Sequence, residues 1–209
     1  MTTDNRARVV LATRNPGKRK ELEALLSDLP LEILGLDEFQ NCPEIVEDGR
    51  TFQENATKKA LAIAKFTGMM AIGEDSGIEV DALGNKPGIY SARFAGPNAT
   101  DEDNNRLLLH KLRNVPRAKR SARYRCVIVC AAAGKVLFTV EGECAGLIAQ
   151  APTGTNGFGY DPIFYIPMMR KTFGELPPEV KNQFSHRARA AALLKQKLVN
   201  LLRSARLMT

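Results

Sequence analysis

The sequence predicts an α/β fold in which a mixed β-sheet carries helices on its faces. Three observations lead there. The first half alternates short β-branched runs with segments of helical period, the pattern of strands joined by crossover helices. The second half contains two apolar runs, 126–133 and 136–140, separated by Gly134-Lys135, which reads as an antiparallel hairpin. Hydrophobic residues make up 44% of the 209 residues, enough for a packed core. The mixture points to one sheet in a single domain over residues 1–209, with room for two lobes, rather than two independent domains.

Each element has its own local reason. Residues 8–12 (RVVLA) form a buried strand, followed by a polar turn and a helix. Asn15 is the expected N-cap, Pro16 fits the first helical position, and Leu22, Leu25, Leu26 and Leu29 share one apolar face up to Pro30. Residues 31–36 return as a strand, and 37–49 form a polar connection ending in Glu47-Asp48-Gly49. Thr51 and Glu54 make a capping box for a helix whose face carries Ala56, Ala60, Ile63 and Ala64. Residues 69–72 and 78–80 read as two short strands joined by a tight turn over 73–77. Thr100 with three acids after it starts another helix, in which His110 is a surface residue. Residues 141–150 read as one more strand and 163–166 as another. Ser185 caps the last helix, whose apolar face includes Ala191, Leu194, Leu198, Leu201 and Leu202.

Composition narrows the function. The net charge of +7 favours anionic partners, either nucleic acid or a polyphosphate small molecule. Trp is absent and aromatics are sparse, which argues against a stacking platform for single strands. Two histidines exclude a His-rich metal site, and four cysteines without paired CxxC spacing read as reduced core thiols. No apolar run approaches a membrane span, and the N-terminus lacks a secretory core with a cleavage site, so a cytoplasmic location is expected.

Several segments could carry chemistry. Gly73-Glu74-Asp75-Ser76-Gly77 places two adjacent carboxylates and a hydroxyl together, and such a pair seeks a divalent cation. An ordinary polar turn is the alternative. Glu47, without a cap role, could join them as a third carboxylate. The strand–turn–helix over residues 13–18 is the recipe for an anion site at free helix amides, with Lys18 adding a charge, unless it is a plain connection. Lys59 lies one turn after Asn55 and could point at a ligand. Residues 152–162 (PTGTNGFGYDP) form either a flexible turn or a cradle for a flat ring, with Phe158 stacking and Asp161 bonding the ring's edge. His186 and Arg187 oppose the dipole of the last helix, which suggests an acceptor beside them. Residues 117–125 (RAKRSARYR) are a solvated loop or, alternatively, a nucleic-acid contact.

Taken together, TRNPGK at 13–18, EDGRTFQENATKKA at 47–60, EDSG at 74–77, PGIYSARFAG at 87–96, GFGYDPIF at 157–164 and SHR at 185–187 resemble the inosine triphosphatase-like (Ham1/RdgB) family of non-canonical purine nucleoside triphosphate pyrophosphatases. The resemblance covers nearly the whole chain. It implies a two-lobed α/β fold around a long central mixed sheet, usually a homodimer. It implies Mg²⁺-dependent hydrolysis of ITP, dITP and XTP to the monophosphate plus pyrophosphate, without nucleic-acid or membrane partners. By position, Asp75 matches the general base and a metal ligand, and Glu47 an acidic metal ligand. Glu74, which is Asp in many bacterial relatives, is a further metal candidate. Thr13, Arg14, Asn15, Pro16, Gly17, Lys18, Ser76 and Lys181 match substrate contacts, and Lys18, Lys59 and Lys181 are the lysines expected to balance phosphate charge. Phe158, Gly159, Tyr160 and Asp161, with His186 and Arg187, match base-recognition segments. The competing readings are a nucleic-acid-binding module and a pyrophosphatase for pyrimidine or other damaged nucleotides.

Overall fold

The structure, a computed structural model, describes residues 6–206. The first five residues, part of the stretch read above for a leader, lie outside the described residues. Strand β1 (Ala7–Leu11) leads into α1 (Pro16–Leu26), then β2 (Leu31–Leu34), α2 (Phe52–Thr67) and β3 (Met70–Val80). After β4 (Lys86–Pro87) come α3 (Asp101–Lys111), β5 (Ser121–Ala132), β6 (Lys135–Ile148), β7 (Phe164–Ile166), β8 (Lys171–Thr172), α4 (Pro178–Lys181) and α5 (His186–Arg206). The eight strands form one mixed sheet in the order β2-β1-β3-β5-β6-β7-β8, with β4 paired to β3. The chain divides into two compact units. The first holds the described residues up to Asp75, Val127–Glu141 and the stretch from Arg189; the second holds Ser76–Cys126 and Gly142–Ala188.

In the first unit β1 pairs in parallel with both β2 and β3. Val9, Val10 and Leu11 are fully buried there, as a parallel strand covered on both faces requires. Asn15 caps α1 by accepting from the Lys18 amide at 3.0 Å. The helix ends at Leu26 rather than running to Pro30. Thr51 caps α2 by accepting from the Glu54 amide at 3.1 Å. Glu54 takes the amide of Arg50 at 2.7 Å, one residue before the cap.

The predicted turn over residues 73–77 does not form, because β3 runs unbroken from Met70 to Val80. Gly73 is required for a different reason. A Cβ there would overlap the Ala56 carbonyl oxygen and lie 2.6 Å from the Ala60 amide, so α2 packs its backbone directly on this strand. The polar residues that resemble a turn are buried strand residues instead: Glu74 is 1% exposed and Asp75 5%.

In the second unit the pairings β3–β4, β6–β7 and β7–β8 are antiparallel. Its core joins Ile78, Val80, Leu108, Leu112, Tyr124, Ile163, Phe164 and Phe173. Two further predictions change. Residues 141–148 belong to β6 itself and not to a separate strand. Residues 121–125 are the start of β5 and not a loop, with buried Ala122 and Tyr124 alternating with Ser121, Arg123 and Arg125. Arginines at alternate positions hide the period of two that marks a half-buried strand. Cys126, Cys130 and Cys144 are buried thiols outside any disulfide, while Cys42 is half-buried outside the core.

Candidate functional site

In the first unit a cluster of charge is built on β3, α1 and α2. Gly73 faces α2, and strand alternation sends Asp75 to the same side. There Asp75 Oδ1 meets Lys59 Nζ at 3.2 Å. The same ammonium lies 3.0 Å from Glu47 Oε2, so residues 28 positions apart in the chain converge on one nitrogen. Glu74, on the opposite side of the strand, is answered by a different lysine: Lys18 Nζ stands 3.6 Å from its Oε1. Lys18 comes from the first turn of α1, where Thr13, Asn15, Pro16 and Gly17 surround the helix start. Thr13 Oγ1 accepts from the Asn15 amide at 3.2 Å. Arg14 reaches away to the carbonyls of Cys42 and Pro43, at 2.9 and 3.3 Å, and ties down the loop that leads to Glu47.

Asn55 completes the cluster. Its side chain is fully buried, donates to Asp75 Oδ2 at 3.1 Å and accepts from the Gly49 amide at 2.8 Å. It thus fixes both the carboxylate and the loop carrying Glu47. Its spacing of four residues from Lys59 puts both on one helix face, which is the sequence signal for its role. Burial raises the Asp75 pKa above the ordinary carboxylate range, against the pull of Lys59, Lys18 and Asn55, and Glu47 adds to the rise. Burial alone would lower Lys59, but the charges of Asp75, Glu47 and Glu74 outweigh it and hold the ammonium raised.

Among the described residues no three His, Cys, Asp or Glu side chains stand close enough together to hold a metal ion. The donor set nevertheless fits Mg²⁺, which takes one or two protein carboxylates and completes its shell with water and phosphate oxygens. Glu47 and Asp75 already converge on a cation, the ammonium of Lys59.

In the second unit the other candidates gather around Phe158. Lys181 Nζ lies 5.2 Å from the Phe158 ring centroid and Arg187 Cζ 5.5 Å, so two cations sit over this ring. Arg187, 1% exposed, donates to Ser76 Oγ at 3.0 Å. His186 stacks on Tyr124 with centroids 4.4 Å apart and planes at 7°. Lys181 forms a buried ion pair with Asp161 Oδ2 at 2.5 Å, and the same oxygen accepts from the Phe158 amide at 3.0 Å. That carboxylate oxygen therefore shapes the loop. Gly157 permits the arrangement, since a Cβ there would overlap Asp161 Oδ2. Tyr160 is buried, with its amide donating to the Tyr124 hydroxyl at 3.1 Å and its own hydroxyl to the Ser91 carbonyl at 2.8 Å. Tyr124 was not a sequence candidate, because it sits in the basic stretch whose strand period was hidden.

That stretch is engaged within the second unit. Arg120 is 4% exposed and donates to the carbonyls of Leu112, Val115 and Ala149. Arg123 bonds Glu79 at 2.8 Å and Asn85 at 3.1 Å, and Arg125 lies 3.6 Å from Glu79. Among the described residues no helix is long and apolar enough to cross a membrane.

The chain is thus an α/β protein with a mixed sheet, a carboxylate–lysine cluster in its first unit and an aromatic-and-cation loop in its second. A profile of the Ham1 family matches residues 9–197, and the chain belongs to that family. It is 51% identical over 191 residues to a dITP/XTP pyrophosphatase of Geobacter sulfurreducens, covering 91% of this chain and 96% of that protein. It is 50% identical over 183 residues to a dITP/XTP pyrophosphatase of Desulforamulus reducens, covering 88% and 91%. Among solved structures, a HAM1 protein from Coxiella burnetii superposes with a TM-score of 0.84 at 41% identity, covering 93% of this chain and 99% of that one. The Ham1 protein of Staphylococcus aureus gives 0.82 at 41% identity, with 92% and 98% covered.

Proposed function

We propose that this chain is a pyrophosphatase for non-standard purine nucleoside triphosphates, converting ITP, dITP and XTP to the monophosphate and pyrophosphate. The observation that carries the reading is the meeting of Glu47 and Asp75 at Lys59, in a chain half identical to proteins named dITP/XTP pyrophosphatase.

Hydrolysis of a phosphoanhydride needs positioning and charge neutralisation more than covalent catalysis. Asp75 takes the proton of the water that attacks the α-phosphorus, as the bond to the bridging oxygen breaks and pyrophosphate leaves. Asn55 and Lys59 hold its carboxylate in place to accept that proton. Lys18 and Lys59 balance the phosphate charge, and the turn over residues 13–18 offers helix amides to the phosphate oxygens. Glu47 and Asp75 would hold Mg²⁺, while Glu74, on the other side of the strand, stays with Lys18; the ion would supply charge neutralisation on the phosphates. Lys181 belongs with Phe158 and Asp161 in the ring-binding loop rather than with the phosphate lysines. Arg187 and His186 present donors to the purine 6-oxo group, which adenine lacks. A buried donor left unmatched costs about 1–3 kcal/mol, so two reject ATP roughly 10²–10⁴-fold. The chain works as a cytoplasmic homodimer in this reading, which light scattering of the purified protein tests.

The deciding experiment is a panel of ITP, dITP, XTP, GTP, ATP and pyrimidine triphosphates with a pyrophosphate readout, with and without Mg²⁺. The account expects Mg²⁺-dependent turnover concentrated on the first three. Turnover led by pyrimidines, or none at all beside salt-sensitive oligonucleotide binding, would refute it.

A further inference from the structure

The loop that carries Phe158 is gripped at its middle by α3. The amide of Gly159 donates to Asp101 Oδ2 at 2.6 Å, and its carbonyl accepts from Asn105 Nδ2 at 3.0 Å. Asp101 and Asn105 are four residues apart and so share one face of α3. Both backbone groups of one residue are therefore held by one helix face. Gly159 has a φ of 63°, the left-handed region that a glycine enters freely.

The consequence falls on Phe158. The peptide plane before it is fixed by its own amide donating to Asp161 at 3.0 Å. The plane after it contains the Gly159 amide, and Asp101 fixes that one. With both planes set, the Cα–Cβ direction of Phe158 is set as well. The next plane is fixed from two sides, by Asn105 on the Gly159 carbonyl and by the Tyr124 hydroxyl on the Tyr160 amide. The first-turn acids of α3 complement its dipole, and Asp103 is used in the capping box with Thr100. Asp101 has this additional work, bonding a residue 58 positions away.

We infer that Asp101 and Asn105 are positioning residues for base recognition. They touch no substrate; they aim the Phe158 ring by locking the two peptides that follow it. The inference rests on the reading that this loop takes the nucleobase, and the test separates the two.

Steady-state KM and kcat for ITP are measured by pyrophosphate release for Asp101→Ala, Asp101→Asn, Asn105→Ala and Phe158→Ala. Inhibition by inorganic tripolyphosphate, which has no base, is measured alongside. Loss of one charge-assisted hydrogen bond corresponds to about a tenfold or larger effect. Asp101→Ala is expected to raise KM by about that factor, with a much smaller change in kcat. Asp101→Asn, whose amide oxygen still accepts, recovers most of it. Asn105→Ala moves KM the same way, and tripolyphosphate inhibition stays unchanged throughout. The inference is overturned if Phe158→Ala raises KM while Asp101→Ala and Asn105→Ala do not, or if tripolyphosphate weakens in step with ITP. If Phe158→Ala itself leaves KM unchanged, the base-loop reading fails and takes the inference with it. Should Asp101→Ala not fold, Asn105→Ala and Asp101→Asn decide by the same criteria.

Discussion

Replacing Lys181 by Met is expected to destabilise the protein far more than one surface lysine would. Lys181 is 3% exposed and Asp161 1%, and their 2.5 Å contact is shielded from solvent. Removing the ammonium takes a charged partner from a buried carboxylate, a loss of about 3–5 kcal/mol. The Phe158 amide still donates to Asp161, which favours the lower end of that range. Two cation–ring contacts, with Phe158 at 5.2 Å and Phe173 at 5.3 Å, are lost as well. Met fills much of the vacated volume and keeps favourable contact with the rings, so little is added by a cavity. In a chain of this size about 1 kcal/mol shifts Tm by roughly 2–4 °C, so the melting temperature should fall by about 6–20 °C. Urea unfolding followed by far-UV circular dichroism measures the free energy directly. Adding Asp161→Asn removes the stranded charge, and the double variant should be more stable than the sum of the two single losses predicts. A loss below about 1 kcal/mol for Lys181→Met, or strict additivity in the double variant, would refute the argument.

Other consequences are checked more briefly. Gly73→Ala drives a methyl into the backbone of α2 and is expected to cost about 1–3 kcal/mol or more; an unchanged urea midpoint would contradict the close packing. Arg187→Ala removes a buried donor and should raise KM for ITP by roughly 5–150-fold; an unaltered ITP/ATP selectivity ratio would sink the donor argument. Burial pushes the Cys130 thiol from 9.0 to about 12, so the folded state keeps a proton that the unfolded chain releases. Stability should therefore decline as pH rises above about 9, by roughly 1.4 kcal/mol per pH unit from this thiol. Cys130→Ala should flatten the urea midpoint between about pH 9 and 10, and identical curves for both proteins would rule this cause out.

What the sequence made legible were features written in local chemistry. Asn15 before Pro16, and Thr51 three residues before Glu54, mark helix starts because a cap needs only its own turn. Mixed sheet topology followed from alternation in one half and a glycine turn in the other. The EDSG segment misled because glycine and acids are turn signals only when solvent receives them. Here Lys59, Lys18 and Asn55 receive the acids and α2 receives the glycine, and those partners lie 13 to 56 residues away. The strand start at Ser121 was masked for a related reason. Arg123 and Arg125 find Glu79 across the second unit, so a basic run that looks solvated is half of a salt-bridged strand face. The Asp101–Gly159–Asn105 grip was likewise invisible, since nothing near Asp101 in the chain announces a partner 58 residues on.

The central claim is that Asp75 is the base that activates water on the α-phosphorus. Pyrophosphate release from ITP by Asp75→Asn, with the circular dichroism spectrum recorded on the same sample, tests it most directly. The account predicts a fall in kcat of at least about 100-fold with the spectrum unchanged. Turnover within about threefold of the parent protein, on a folded sample, would contradict it.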